Sequence, residues 1–170
     1  MMYDLISSLN ANANDGGMEA AIRLAECKFE GRLDLDGNPA VLHALEVGRM
    51  GSAPDEQIVG YLHDVVEDTD TTLEDLERMG FTRNVIEAVG LLTHEKGVPY
   101  EEYLEKIISS NNRTAIQVKK NDLNHNLLRG KRTLELALQK DDNALCAEIT
   151  CINAKHEKAL EMILRRSGQR

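Results

Sequence analysis

Hydrophobic residues recur along most of this chain at spacings of three and four, the period of an α-helix with one buried face. In the segment 17–31, for example, Ala21, Leu24, Ala25 and Phe29 fall on one side of such a helix. No segment shows the alternation of apolar and polar residues that is typical of a half-buried strand. The pattern therefore predicts an all-α fold.

Capping and stop signals divide this pattern into about eight helices. Ser52-x-x-Asp55 and Thr72-x-x-Asp75 both resemble a capping box, with Asp in place of the usual Glu. A helix that starts near residue 113 is expected to end at Gly130, and the chain closes with a short helix and a long one.

The length of 170 residues suits a single domain that buries its own core. We find no internal repeat and no linker rich in Gly or Ser. We therefore interpret 1–170 as one compact helical bundle. Within it, the motifs described below occupy about 18–130, and C-terminal helices occupy 131–166.

Composition excludes several classes of protein. Hydrophobic residues make up 42 %, which argues against disorder. No apolar run approaches the roughly 18 residues that a membrane span requires, and the first 17 residues lack the features of a signal peptide. Cys27, Cys146 and Cys151 form no CxxC pair, so we expect reduced, buried thiols in a cytoplasmic protein.

The net charge of −9 makes a nucleic acid polymer an improbable partner, because the surface would repel it. A small anionic substrate remains compatible with this charge, provided that positive charge is concentrated in its site. The sequence leaves open whether the protein is a monomer or a homodimer.

Candidate chemistry begins with "YLHDVVEDTD", residues 61–70. On a continuous helix over 58–68, His63 and Glu67 are four residues apart and share a face, and Asp64 lies one step round. A solvated acidic helix face explains this stretch as well as a metal site does.

Two residues outside this stretch favour the metal site. His43 lies among apolar residues of the preceding helix, and Asp122 lies on a mostly apolar helix, where burial is costly unless a cation meets the carboxylate. With His63 and Asp64 they supply two imidazoles and two carboxylates from three helices. This set suits a divalent transition metal with open positions for water and substrate.

These segments, in this order, resemble the HD-domain metal-dependent phosphohydrolases, and more closely the RelA/SpoT-like branch with its small stand-alone alarmone hydrolases. "GNPAVLH" (37–43) is similar to G-x-P-Y-x-x-H, and "LHDVVEDTDTTLEDL" (62–76) contains H-D-x-x-E-D-T. "VKKNDLNHNL" (118–127) is similar to V-K-L-A-D-R-x-x-N, and "LLTHEKGVPYEEYLEKI" (91–107) to the segment between them. The resemblance covers about 18–130.

The resemblance implies an HD-domain helical bundle that hydrolyses the pyrophosphate from the 3′ oxygen of ppGpp or pppGpp. It implies that Glu67 and Asp68 position and activate the attacking water, and that Asn126 helps to hold the nucleotide. One divalent ion is implied, usually Mn²⁺, with Fe²⁺, Mg²⁺, Zn²⁺, Co²⁺ or Ni²⁺ as alternatives. Its implied ligands are His43, His63, Asp64 and Asp122.

The recognition loop departs from the branch. "RLDLDG" (32–37) carries Asp34 and Asp36 where the branch has Arg or Lys, and Ala40 replaces the Tyr of G-x-P-Y. The metal chemistry is thus retained while nucleotide recognition is altered. Two alternatives stay open: the same chemistry on a deoxynucleoside monophosphate or a phosphorylated dinucleotide, or a metal-bound nucleotide sensor without turnover.

Other polar residues are weaker candidates. His125 follows Asp122 by three residues and shares its face. His94 and His156 are expected at the surface. Tyr100 and Tyr103 are expected to fill the core. Five basic residues flank Asp122, and most are expected to be solvated: Lys119, Lys120, Arg129, Lys131 and Arg132. The substrate-binding candidates are Asn126, Lys119, His125 and Arg129.

Overall fold

The computed structural model describes residues 16–34 and 37–167. Within these ranges the chain forms nine helices and no strand, apart from one isolated bridge between Leu33 and Pro39. The all-α prediction is confirmed. The helices are α1 Met18–Lys28, α2 Val41–Arg49, α3 Pro54–Leu62, α4 Val65–Asp68, α5 Leu73–Arg78, α6 Arg83–Leu92, α7 Tyr100–Ser109, α8 Arg113–Gln139 and α9 Asn143–Ser167.

The core lies where α1, α3, α6 and α8 pack together, and its apolar side chains come from the faces that the helical period predicts. Leu62 of α3, Val89 of α6 and Val118 of α8 are fully buried. The last helix joins the same core through Ala159 and Ile163. Burial of these faces removes apolar surface from water and is the main stabilising contribution to the fold.

Helices α2 and α3 approach each other unusually closely at two glycines. A Cβ atom on Gly60 would lie 2.7 Å from the Cα of Gly48, and one on Gly48 would lie 2.3 Å from the ring of Tyr61. Only residues without a side chain permit this contact. The contact matters for the site, because His43 lies on α2 and His63 directly follows α3.

Helix α8 continues through Gly130, so the expected helix end at that residue is wrong. A Cβ atom on Gly130 would lie 1.9 Å from Oδ1 of Asn153 on α9. The glycine is therefore used for close packing of the last two helices and not for a turn. A helix tolerates one glycine at a modest cost when tertiary packing compensates.

Two local predictions have different outcomes. Thr72 and Asp75 form the expected capping box. At α3, however, it is Glu56 and not Asp55 whose carboxylate accepts the N–H of Ser52 and of Ala53. The helix therefore begins one residue later than predicted.

The three cysteines are free, but the prediction that they are buried is wrong. Cys27 and Cys151 are exposed, and Cys146 is partly buried. Across the part of the chain that the structure describes, no helix combines the length and the apolar composition needed to cross a bilayer.

Candidate metal centre and its cavity

Four side chains from three parts of the chain meet between α2, α3 and α8. His43 projects from α2 and Asp122 from α8, while His63 and Asp64 lie in the junction between α3 and α4. The expected continuous helix over 58–68 is therefore wrong. We attribute the break to the Gly60 carbonyl, which would accept the Asp64 N–H in a continuous helix but here accepts a hydrogen bond from His63 Nδ1 at 2.8 Å.

The potential ligand atoms of these residues face one another. Nε2 of His43 lies 3.2 Å from Nε2 of His63. Oδ2 of Asp64 lies 3.1 Å from His63 Nε2 and 3.7 Å from His43 Nε2. Oδ1 of Asp122 lies 3.1 Å from His43 Nε2 and 3.8 Å from His63 Nε2. Ligands at right angles on one ion, each about 2.0–2.2 Å away, lie about 3 Å apart, so these spacings suit a shared ion.

The Nδ1 atoms of His63 and His43, which point away from the cluster, also have hydrogen-bond partners. Gly60 O can only accept, so Nδ1 of His63 carries the proton, and its Nε2 is left with a lone pair when the ring is neutral. Nδ1 of His43 lies 2.8 Å from Nδ1 of His125. Such contacts fix the orientation of histidines that bind metals. His125 thus lies behind His43, where it can orient that ring.

The Asp122 carboxylate is buried and has partners on both oxygens. Lys119 Nζ donates to Oδ2 at 2.9 Å, and Asn126 Nδ2 donates to Oδ1 at 2.7 Å. Lys119 has only 12% of its side chain exposed and lies over the rings of Tyr100 and Tyr103. The expectation that most of the five basic residues flanking Asp122 are solvated is therefore wrong. Lys131 and Arg132 are exposed, but Lys119, Lys120 and Arg129 are partly buried.

The electrostatics of the cluster favour a cation. Burial alone lowers the pKa of His63, but the carboxylates of Asp64 and Asp122 reverse this effect and raise it to about 9. Burial opposes ionisation of Asp122, yet Lys119 and His43 hold its pKa well below the ordinary range. Two ionised carboxylates therefore face two imidazole nitrogens. This donor set, nitrogen and oxygen in equal number, fits a divalent transition metal.

A cavity of about 590 Å³ opens from the cluster. Glu67 lines it, and an aromatic wall is formed by Tyr100, Tyr103 and His94. His94 stacks at 4.7 Å from the Tyr103 ring and bonds to the Val98 carbonyl through Nε2, so the expectation that it lies exposed at the surface is wrong. Tyr103 fills the core as predicted, and its hydroxyl donates to Leu92 O.

A further part of the cavity lining comes from α9, where the structure places Lys155 and His156. His156 is half-buried, so the expectation that it is solvated is wrong. Sequence spacing gave no signal for either residue, because they lie far along the chain from the HD stretch. Only the packing of α9 against α8 at Gly130 brings them to the cavity.

The two acidic residues that follow the HD pair have different surroundings. The Glu67 carboxylate lines the large cavity and accepts the N–H of His94 at 2.8 Å. Asp68 lines a second cavity of about 380 Å³, together with Phe29 and Arg32. Partial burial raises the pKa of both carboxylates, and the nearby Asp64 adds to the effect.

The altered recognition loop makes an ion pair with α8. Asp34 accepts a hydrogen bond from Arg129 at 2.8 Å, and Arg129 borders both cavities. Arg129, which is predicted to bind substrate, is thus paired with Asp34. The resemblance implies an Arg or Lys at that position. Asp36 lies outside the described residues.

Comparisons with known proteins bear on the fold of this chain. No protein-family model matches the chain. A solved structure, described as a metazoan orthologue of SpoT that hydrolyzes ppGpp and plays a role in starvation responses, superposes with a TM-score of 0.56, covering 89% of this chain and 95% of that chain at 24% identity. The chain has the all-α HD-domain fold.

A curated relative is similar in sequence over part of the chain. The guanosine-3′,5′-bis(diphosphate) 3′-pyrophosphohydrolase MESH1 of Danio rerio is 37% identical to this chain over 75 residues. The matched segment spans 41% of this chain and 41% of the relative. The HD-domain resemblance stated from the motifs is thus confirmed for the fold.

Proposed function

We propose that this chain is a metal-dependent phosphohydrolase that removes pyrophosphate from the 3′ oxygen of ppGpp or of a related 3′-phosphorylated nucleotide. The relative and the solved structure support this reaction, since both are described as acting on ppGpp. The cavity of about 590 Å³ has room for a nucleotide. Its aromatic wall offers ring faces on which a base can stack.

The convergence of the two Nε2 atoms with the two carboxylates is the observation that carries the proposal. We assign His43, His63, Asp64 and Asp122 as the ligands of one divalent ion, with Mn²⁺ as the expected metal. A divalent ion bound there would neutralise charge on a phosphate oxygen and acidify a water. His125 and Lys119 hold His43 and Asp122 in place.

Glu67 is assigned to orient the attacking water and accept its proton. Its carboxylate lines the large cavity, is fixed by the His94 N–H and has a raised pKa because of burial, which increases its basicity. Asp68 lines the second cavity together with Asp64, and its carboxylate is assigned to help position the water. Asn126 adjoins the cluster through Asp122, in a position to contact the substrate.

A second substrate class is favoured by the ion pair between Asp34 and Arg129. This acid repels phosphate at a place where the resemblance implies a cation. A small nucleotide with fewer phosphates, such as a deoxynucleoside monophosphate, is therefore the alternative substrate. The proposal also retains a cytoplasmic location, a single domain over 1–170 and a monomeric or homodimeric state, with no polymer or membrane as partner.

The test is a panel of nucleotides incubated with the purified protein and Mn²⁺, with released phosphate and pyrophosphate measured separately. We expect ppGpp to release pyrophosphate and leave GDP. Asp64→Ala should release none, which excludes a contaminating hydrolase. Release of phosphate from a deoxynucleoside monophosphate alone would select the second substrate class. Binding of a nucleotide without any turnover would identify a sensor and contradict the enzyme.

A further inference from the structure

The cations around the large cavity differ in how they are paired. Lys119 is bound to Asp122, and Arg129 is bound to Asp34. Lys155, on α9, lines the same cavity, and within the described residues it makes no hydrogen bond or ion pair. A phosphate can therefore bind Lys155 without first breaking an ion pair with a carboxylate.

The neighbouring residue on α9 adds a second unused group. Nδ1 of His156 is buried and has no hydrogen-bond partner in the described chain. Burial lowers the pKa of His156, so the ring is neutral near pH 7 and can donate or accept. A buried polar atom without a partner is costly, and binding of a polar ligand group would remove that cost.

The position of these residues is built into the packing of the last two helices. Asn153, one turn before His156, packs against Gly130 of α8 so closely that a Cβ there would meet its Oδ1 at 1.9 Å. The same face of α9 inserts Ala159 and Ile163 into the core. The helix is therefore held in a fixed register, with 155–156 at the cavity.

We infer that Lys155 and His156 form a substrate subsite on α9 for the part of the nucleotide that is not cleaved, with Lys155 binding the 5′ phosphates and His156 hydrogen-bonding the sugar or base. This inference rests on the proposed function. It accounts for the altered loop, because a cation on α9 compensates for the acid at Asp34. The metal cluster and the subsite then line one cavity, where they hold two parts of the same substrate.

The test measures binding of two nucleotides that lack the bond cleaved in the proposed reaction: GDP, which carries only 5′ phosphates, and guanosine 3′-monophosphate, which carries only a 3′ phosphate. Calorimetry with the Mn²⁺-loaded protein should show that Lys155→Met weakens GDP binding about 10- to 100-fold, the usual effect of losing one charge-assisted hydrogen bond. Binding of guanosine 3′-monophosphate should change less than about twofold. His156→Ala should weaken both, because both contain the sugar and base.

Lys158→Met is the matched control, because Lys158 lies three residues further along α9 and pairs with the exposed Glu101. It should bind both nucleotides like the wild type. In turnover of ppGpp, Lys155→Met should raise KM with little change in kcat. A wild-type protein that binds GDP through Lys155 but cleaves nothing would refute the proposed function and keep the subsite. GDP binding that is absent in the wild type, or unchanged in Lys155→Met, would overturn the subsite.

Discussion

Lys119 and Asp122 form a largely buried ion pair one turn apart on α8, with Nζ and Oδ2 separated by 2.9 Å. The pair leaves Oδ1 of Asp122 facing the imidazole of His43 at 3.1 Å. The lysine thus neutralises one oxygen of the carboxylate and orients the other. In the absence of a metal ion it is also the principal cation that compensates the burial of Asp122.

We therefore predict that Lys119→Met destabilises the metal-free protein. Removal of one partner from a buried ion pair costs about 3–5 kcal/mol, which for a chain of this size corresponds to a fall in Tm of roughly 10 °C. Saturating Mn²⁺ should recover part of this loss, because a cation again meets Asp122. Thermal melts with EDTA and with Mn²⁺ measure both values.

The control for this prediction is Lys131→Met, because Lys131 is exposed on the same helix. Its melting temperature should stay within about 2 °C of the wild type, as expected for a surface change. Equal losses of Tm in Lys119→Met with EDTA and with Mn²⁺ would show that Lys119 acts only through packing.

The contact between His125 and His43 gives the second prediction. The two Nδ1 atoms are 2.8 Å apart, so His125 fixes the ring that presents Nε2 to the cluster. Residues that orient a metal-binding histidine in this way contribute about 10- to 100-fold to metal affinity. His125→Phe should weaken Mn²⁺ binding by this factor in a calorimetric titration. An unchanged affinity would assign His125 to the substrate instead.

The third prediction concerns the approach of α2 to α3. Gly60→Ala places a methyl group 2.7 Å from the Gly48 backbone, which cannot move aside as a side chain can. Overpacking costs about 1–3 kcal/mol, and the better helix propensity of Ala returns about 1. We expect a lower Tm and weaker Mn²⁺ binding, because His43 and His63 are pushed apart.

Gly90→Ala is the paired control for the glycine experiment. Gly90 also lies inside a helix, but its Cβ would meet only the Leu73 side chain, at 3.1 Å. The Leu73 side chain can shift, so this substitution should leave Tm unchanged or raise it slightly. If both alanine variants behaved alike, the close contact at Gly60 would have no special role.

The spacing and chemistry of nearby residues are sufficient to predict features that depend on neighbours in sequence. The helical class and the Thr72–Asp75 capping box follow from spacing and side-chain chemistry, and both are present in the structure. The four side chains of the cluster were grouped by the resemblance and by their donor chemistry, and the structure brings them together. His63 and Asp64 are consecutive, so they stay close even though the helix breaks between 62 and 65.

The features that sequence reasoning missed depend on tertiary packing. Glycine is a residue that often ends a helix, yet the close approach of α9 keeps α8 continuous through Gly130. His156 lies on a charged helix, and nothing local shows which side of that helix meets the cavity. Sequence position predicts an exposed His94 at a helix end, but its ring packs against that of Tyr103 and its backbone N–H donates to Glu67. In each case a partner distant in sequence decides the environment.

The final prediction separates Glu67 from Asp68. Glu67→Gln keeps an oxygen that can accept the His94 N–H, so the local structure should survive while the basic group is lost. We expect kcat to fall by about 10²–10⁴, the usual contribution of general acid–base catalysis. Mn²⁺ content should change little, since Glu67 is not an assigned ligand. Turnover of ppGpp and metal content are both measured under saturating Mn²⁺.

Asp68→Asn is the comparison, because Asp68 faces the smaller cavity and not the one that holds His94 and Tyr103. Its backbone carbonyl accepts a hydrogen bond from Arg32, a contact that the substitution retains. We expect a smaller loss of kcat than in Glu67→Gln, with Mn²⁺ again retained. If Glu67→Gln were fully active, or lost its metal while Asp68→Asn kept it, then Glu67 would not be the base that accepts the proton of water.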